Sequence, residues 1–165
     1  MKAQFDMKQL EEFQKKLEEA GKQVNMDAFY ESAAKELAAR MLALVKPRTP
    51  VGIRPDVDPE VLKTYWSGYQ GGTLRRGWDV TSVTKKGNYY EVEVFNPVMY
   101  ASYVEFGHRQ TPGRFVPALG KRLKSGWVKG RFMMKISAQD LEKATPAILQ
   151  KKLAAYLKKV LENGK

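Results

Sequence analysis

The stretch from Leu74 to Phe95, LRRGWDVTSVTKKGNYYEVEVF, decides the fold class. Tyr90, Val92 and Val94 alternate with Glu91 and Glu93, the period of two that gives a strand one apolar and one polar face. Upstream, Leu74, Trp78 and Val80 share one parity while Arg75, Asp79 and Thr81 share the other, which predicts a strand over 74–84. Lys85-Lys86-Gly87-Asn88 between them is turn chemistry, so 74–84 and 89–95 are predicted to form a β-hairpin.

Working outward, the apolar period changes to that of a helix on both sides. Met7, Leu10, Phe13, Leu17 and Ala20 recur at three- and four-residue steps, with Asp6 and Gln9 as a capping-box-like start and Gly21 as a stop. A second helix is predicted after Asn25, with the stripe Phe29, Ala33, Leu37, Met41 and Leu44, ending near Lys46 because Pro47 lacks the amide to continue it. On the far side, 98–106 reads as a short helix with Met99, Tyr103 and Phe106 on one side, closed by Gly107. Residues 126–136 read as a strand bent at Gly130. Ser137 with Asp140 marks a helix start, Thr145-Pro146 a second one, and Leu149, Leu153, Tyr156 and Val160 form its seam. This order predicts an α+β protein with N-terminal helices, a small, mostly antiparallel sheet and a long C-terminal helix.

At 165 residues one domain is expected, since single cores of ~100–200 residues are the norm. The expected layout over 1–165 is N-terminal helices 6–46, a loop insert 47–72, a sheet region 73–136 holding the short helix 98–106, and a C-terminal helix 137–163. Pro47, Pro50, Pro55 and Pro59 together with Gly68, Gly71 and Gly72 make 47–72 a long loop, with one helical turn at 59–65. Tyr65, Trp66 and Tyr69 make that loop aromatic, which suits either a partner surface or a fold back over the sheet. No apolar run approaches the ~18–20 residues that span a bilayer, and the opening MKAQFDMKQLEEF has no signal-peptide core. A soluble protein made in the cytoplasm, with no membrane partner, is expected.

The chain carries 29 Lys plus Arg against 18 Asp plus Glu, a net charge of +11, which calls for anionic partners. The charge is uneven: residues 1–46 are neutral, whereas Arg109 to Lys135 contains eight cations and no acid. Phe115, Trp127 and Phe132 are interleaved with these cations, as in surfaces that bind phosphates and stack bases. A solvated basic loop, a contact between subunits and a nucleic-acid contact all fit this pattern. Lys121, Arg122, Lys124, Lys129 and Arg131 are the candidates for facing an anion or DNA.

Catalytic chemistry is hard to assemble. With no cysteine and only His108, there is no thiol nucleophile, no thiolate site and no multi-histidine metal site. Glu105 lies three residues before His108, a spacing suited to a local hydrogen bond or cap more than to a metal. Ser102 and Asp79 exist but no G-x-S-x-G elbow does, Asp56, Asp58 and Glu60 sit in a Pro-rich loop, and no Gly-rich phosphate loop follows a strand. No enzyme activity, cofactor or metal is expected.

Four fragments, taken in order, carry a family resemblance: Arg48-Thr49-Pro50-Val51, Gly72-Thr73-Leu74-Arg75-Arg76-Gly77-Trp78, Tyr100-Ala101-Ser102-Tyr103-Val104-Glu105-Phe106-Gly107-His108, and Gly130-Arg131-Phe132-Met133-Met134. Across roughly 26–160 the chain resembles the lambdoid-type phage tail-component family, the neck or tail-completion proteins of long-tailed phages. The chain departs from the family pattern at 52–71, an insert between the T-P-V segment and the first strand, and in having Gly72-Thr73 for T-G. The insert is a candidate docking element. The resemblance implies a structural virion protein without catalysis, a homo-oligomeric ring at the head–tail junction between connector and tail proteins of a phage or prophage-like particle, with channel DNA within reach. Ring closure implies two different faces meeting, and the basic 109–135 stretch with the Glu91/Glu93 strand face would suit it. Candidate interface residues are then Tyr65, Trp66, Tyr69, Tyr100, Tyr103, Glu105, Phe106, His108, Arg109 and Arg114. The alternative is a small basic nucleic-acid-binding protein using 109–135.

Overall fold

The computed structural model describes residues 24–163 and, before them, positions 15, 18, 19, 21 and 22. Those five early positions are helical, Gly21 included, so Gly21 does not stop the first helix; Asp6, Gln9 and the rest of its predicted stripe lie outside the described residues.

Helix α1 runs Met26–Arg48, and Asn25 caps it by accepting a hydrogen bond from the Ala28 amide at 3.0 Å. Its buried stripe is Phe29, Ala33, Ala34, Ala38, Met41 and Val45, rotated slightly from the predicted one, with Leu37 and Leu44 only half-buried. The helix passes through Pro47 rather than ending at Lys46. Proline deprives only the Ala43 carbonyl of its helical donor, and Ala43 is exposed to water. Helix α2 (Pro59–Tyr65) is the helical turn expected inside the insert, capped by Asp58.

The predicted strand over 74–84 is replaced at its start by a single turn of helix, α3 (Thr73–Arg76). Leu74 and Trp78 are both buried, and a spacing of four puts two residues on one face of a helix as well as of a strand. The hairpin proper is β1 (Asp79–Val80) and β2 (Thr84–Lys86) against β3 (Tyr89–Glu91) and β4 (Val94–Phe95). Val80 pairs Val94 and Thr84 pairs Glu91, so four steps on one strand oppose three on the other. That extra residue is a bulge. Gly87, at φ +60°, opens the two-residue turn. Tyr90, Val92 and Val94 face inward and Glu91 and Glu93 outward, as predicted.

Helix α4 (Ala101–Phe106) leads through Gly107 into a second hairpin: β5 (Gly107–Arg109) pairs β8 (Trp127–Lys129), and β6 (Phe115–Val116) pairs β7 (Lys121–Arg122). A 3₁₀ turn, Pro117–Leu119, forms its tip.

The last helix, α5 (Met133–Asn163), begins four residues before the expected start and continues through Pro146. Three readings are thereby corrected. The strand over 126–136 stops at Lys129. Ser137 is no cap but lies inside the helix, fully buried, its hydroxyl donating to the Met133 carbonyl at 2.7 Å. Thr145 starts nothing; its hydroxyl donates to the Leu141 carbonyl at 2.8 Å. Pro146 is tolerated as Pro47 is, since Glu142 four residues back is exposed.

Helices α1 and α5 pack antiparallel. Arg48 reaches Ser137 (3.3 Å) and Asp140 (2.6 Å) at one end, Glu36 meets Lys152 (2.9 Å) midway, and Tyr156 brackets the Asn25 backbone at the other. The Lys152 hydrogen bond, and then that of Arg40, hold the Glu36 carboxyl below its ordinary value. Val45, Leu74, Trp78 and Met133 form the core at the closed end, where Val94, Val98, Ala101 and Val104 pack on it. The architecture is thus α+β, with small antiparallel two-stranded pairings around an antiparallel helix pair.

Candidate functional site

Two polar clasps join the four sequence fragments in pairs. In the first, Thr49 is fully buried just past α1. Its hydroxyl donates to the Val45 carbonyl (2.8 Å) and accepts from the Trp78 indole N–H (2.6 Å). The Arg75 guanidinium donates twice to the Thr49 carbonyl, from Nε at 2.9 Å and Nη2 at 2.6 Å. A positive fork at a helix C-terminus satisfies carbonyls that the helix leaves open. Asn96 adds a hydrogen bond to the Leu74 carbonyl at 2.7 Å, tying the first hairpin to the same knot.

The second clasp centres on Glu105, buried at 7% exposure. Its carboxylate accepts from the Met134 and Lys135 amides, each at 3.0 Å, and its carbonyl from the Phe132 amide at 3.0 Å. It therefore caps α5 from outside the helix, where the dipole favours an anion. Phe132 sits at φ +50°, a conformation costly for a bulky residue. Gly107 and Gly130 cross so closely that a Cβ on Gly107 would fall on the Val128 carbonyl oxygen and one on Gly130 on that of Glu105. The carboxylate partners of Glu105 are thus backbone amides of α5 and not His108 three residues on, and they engage it within the chain.

His108 is half-buried beside the edge of Tyr103, ring centroids 5.8 Å apart. Its Nδ1 has no hydrogen-bond partner among the described residues, where no cluster of three metal-ligating side chains occurs either.

Outside the clasps, the surface shows two features. Helix α4 turns Tyr103 (58% exposed) and Phe106 (63%) outward, and Met99 just before it is 91% exposed. Tyr100 lines a cleft of about 390 Å³ together with Pro50, Val51, Trp66, Tyr69 and Leu74. The second feature is the hairpin of 107–129. Directly opposed residues of an antiparallel pair share a face, so Arg109 and Trp127, with Lys129 two residues on, point one way, and His108 and Val128 the other. At the tip, Phe115 opposes Arg122, whose guanidinium lies 6.0 Å from the ring centre. Lys135 stands likewise over Phe132 at 5.8 Å. All eight cations from Arg109 to Lys135, Arg114, Lys121, Lys124 and Arg131 among them, are exposed, and none forms an ion pair with a carboxylate among the described residues.

The insert supports this arm. The Trp66 indole donates to the Ala118 carbonyl at 2.6 Å, Tyr69 meets Trp66 edge-on at 4.9 Å, and Arg54 donates to the Trp66 carbonyl at 3.3 Å. Tyr65 remains 54% exposed beside them. Of the two readings of the aromatic loop, Trp66 thus folds back, onto the arm rather than onto the first hairpin.

Residues 11–107 match the family model described as "Bacteriophage HK97-gp10, putative tail-component". The chain belongs to this HK97-gp10-like phage tail-component family. No curated protein and no solved structure was found to match it. The family match takes in the Thr49 clasp, the insert and α4, and ends at Gly107, the foot of the arm. The arm and α5 lie beyond the matched residues, although Glu105, within them, caps α5. Two things escaped the sequence: that Thr49 is a buried hub, and that 107–129 is one continuous hairpin. Alternation in 107–129 is interrupted by Pro112, Gly113, Pro117 and Gly120, which hides the pairing.

Proposed function

We propose that this tail-component protein is a ring-forming subunit at the head–tail junction of a long-tailed phage or phage-like particle, located in the virion neck and acting without catalysis or cofactor. The observation that carries the reading is the α4 ridge. Met99 just before the six-residue helix α4, with Tyr103 and Phe106 on it, forms an apolar surface, while the helix's other side, Ala101 and Val104, is already packed. Exposed aromatics clustered in this way dominate interface energetics and mark contact sites. A ring uses a heterologous contact, the ridge of one subunit meeting a different face of the next. Tyr65, Tyr69 and Tyr100, around the neighbouring cleft, extend the contact surface, as do the connector- and tail-facing sides of the ring.

The test is mass measurement of the purified protein alone and mixed with the particle's connector and tail components. Wild type is expected to form a closed oligomer, on its own or on its partners. Tyr103→Glu with Phe106→Glu is expected to keep the monomer's stability and lose the oligomer. A wild-type chain that stays monomeric and never joins the particle overturns the reading.

A further inference from the structure

The basic hairpin arm is not absorbed by ring formation. Removing the eight cations of Arg109 to Lys135 leaves 21 basic against 18 acidic groups elsewhere, so the rest of the chain is itself net positive. Copies of one chain therefore have no net negative charge to offer one another's arms. The outer side of the first hairpin holds Glu91, which is already paired with Lys86 at 2.9 Å, with Glu93 and Asp79, and the insert holds Asp56, Asp58 and Glu60. Lys85 on that hairpin is paired with Asp27 at 2.6 Å, and the five carboxylates of hairpin and insert that form no ion pair among the described residues stand against eight cations. A different, uniformly anionic molecule would supply the full counter-charge.

We propose that the arm, Gly107–Lys129 with Arg131 and Lys135 at its foot, contacts the sugar–phosphate backbone of duplex DNA. Three observations point to a polyphosphate rather than an acidic protein face. The charge is of a single sign throughout, whereas protein interfaces interleave signs around an apolar centre and are depleted in lysine. Its cations line both strands of a two-stranded antiparallel ribbon, a shape that a duplex major groove admits. The ribbon is also held at both ends: its foot by the Gly107–Gly130 crossing and the Glu105 clasp, and its tip by Trp66 on Ala118. A pre-positioned ribbon loses little conformational freedom on binding. Phosphate contacts of this kind carry no sequence information, which suits a protein that meets whatever DNA passes it. The inference needs only the folded subunit and does not rest on the ring reading.

The test is fluorescence anisotropy of the full chain with a labelled mixed-sequence duplex, titrated with salt. Each phosphate neutralised contributes about −0.9 to the slope of log K against log[salt]. Lys121→Gln, Lys124→Gln and Lys129→Gln together are expected to make the slope shallower by about 2 to 3. The same loss of charge at Lys46, Lys151 and Lys159, exposed lysines outside the arm, is expected to leave it unchanged. Circular dichroism of both variants confirms that they are folded. No binding at ~100 mM salt, or equal slope changes in the two variants, overturns the proposal. So does competition by poly-L-glutamate as effective, per charge, as unlabelled duplex, which would assign the arm to an acidic protein surface.

Discussion

Replacing Glu105 by alanine should destabilise the subunit itself, before any question of assembly arises. The carboxylate is buried and takes the Met134 and Lys135 amides, two of the four N–H groups that a helix start leaves without internal acceptors. Leaving a buried amide unsatisfied costs ~1–3 kcal/mol, so two give about 2–6 kcal/mol. The lower half applies here, because Lys135 is exposed and water can reach its amide, and because removing the carboxylate also relieves its desolvation. An expected loss of about 3 kcal/mol exceeds the ~0.5–2 kcal/mol of an ordinary cap residue. With a urea m-value of about 2 kcal/mol/M, the midpoint should fall by about 1.5 M. Glu105→Gln keeps one acceptor oxygen in nearly the same shape and should lose about half as much. Urea denaturation of wild type and both variants, followed by far-UV circular dichroism, gives the midpoints. A midpoint shift in Glu105→Ala below about 0.3 M, with ring assembly nonetheless impaired, would refute the cap and return Glu105 to the subunit interface.

Gly107→Ala should cost more than Gly113→Ala, although both glycines have positive φ. Nothing lies near a Cβ at Gly113, so only the backbone cost of ~1–2 kcal/mol applies there, whereas Gly107 adds overlap with the Val128 carbonyl; thermal denaturation gives the order, and equal costs would deny the close crossing. Glu36→Gln should lose about 1 kcal/mol near neutral pH by giving up Lys152 and Arg40. Because the folded carboxyl titrates below its ordinary 4.5, its contribution is complete above that value and disappears as pH falls through the folded one; wild type and variant should converge in acid-range urea titrations. Trp66→Ala removes the indole bond to Ala118 and should free the arm tip, seen as faster tryptic cleavage after Lys121, Arg122 or Lys124 with little change in the melting temperature of the core.

The parts of the fold legible in the sequence are those where one local signal suffices. Asn25 caps α1, and the alternation from Tyr90 to Val94 faces inward where predicted. Misreadings arose where two periods coincide or a long-range contact decides. Leu74 and Trp78, four apart, satisfy helix and strand alike, and only the Thr49 knot, reached through Arg75 and Trp78, settles which. Ser137 and Asp140 have the spacing of a cap, yet they serve as the landing point of Arg48 from α1, a partner 89 residues away for Ser137. Prolines 47 and 146 read as breaks because sequence does not say which way a helix face points; both leave an exposed carbonyl without its donor. Of the candidate residues, Tyr103 and Phe106 lie with Met99 on the one helix side that their spacing gives, while Glu105 was not separable from them, since burial is a property of the whole fold.

The fragments that carry the family resemblance turn out to be mostly internal. Thr49, Arg75 and Trp78 bind one another, and Glu105, Gly107, Gly130 and Met134 do the same. Motifs of this kind specify how the chain closes, and so they identify the family without showing what any member touches. Under the proposed function, contact chemistry lies in what the clasps leave outside: the ridge of α4, the insert and the basic arm. The insert and the arm are joined by Trp66, so a change in either moves the other. An arm held at foot and tip presents its cations at fixed positions relative to the ridge. In a ring joined through the ridge, that coupling would set every arm at one radius and one height, converting a charged hairpin into a continuous cationic collar.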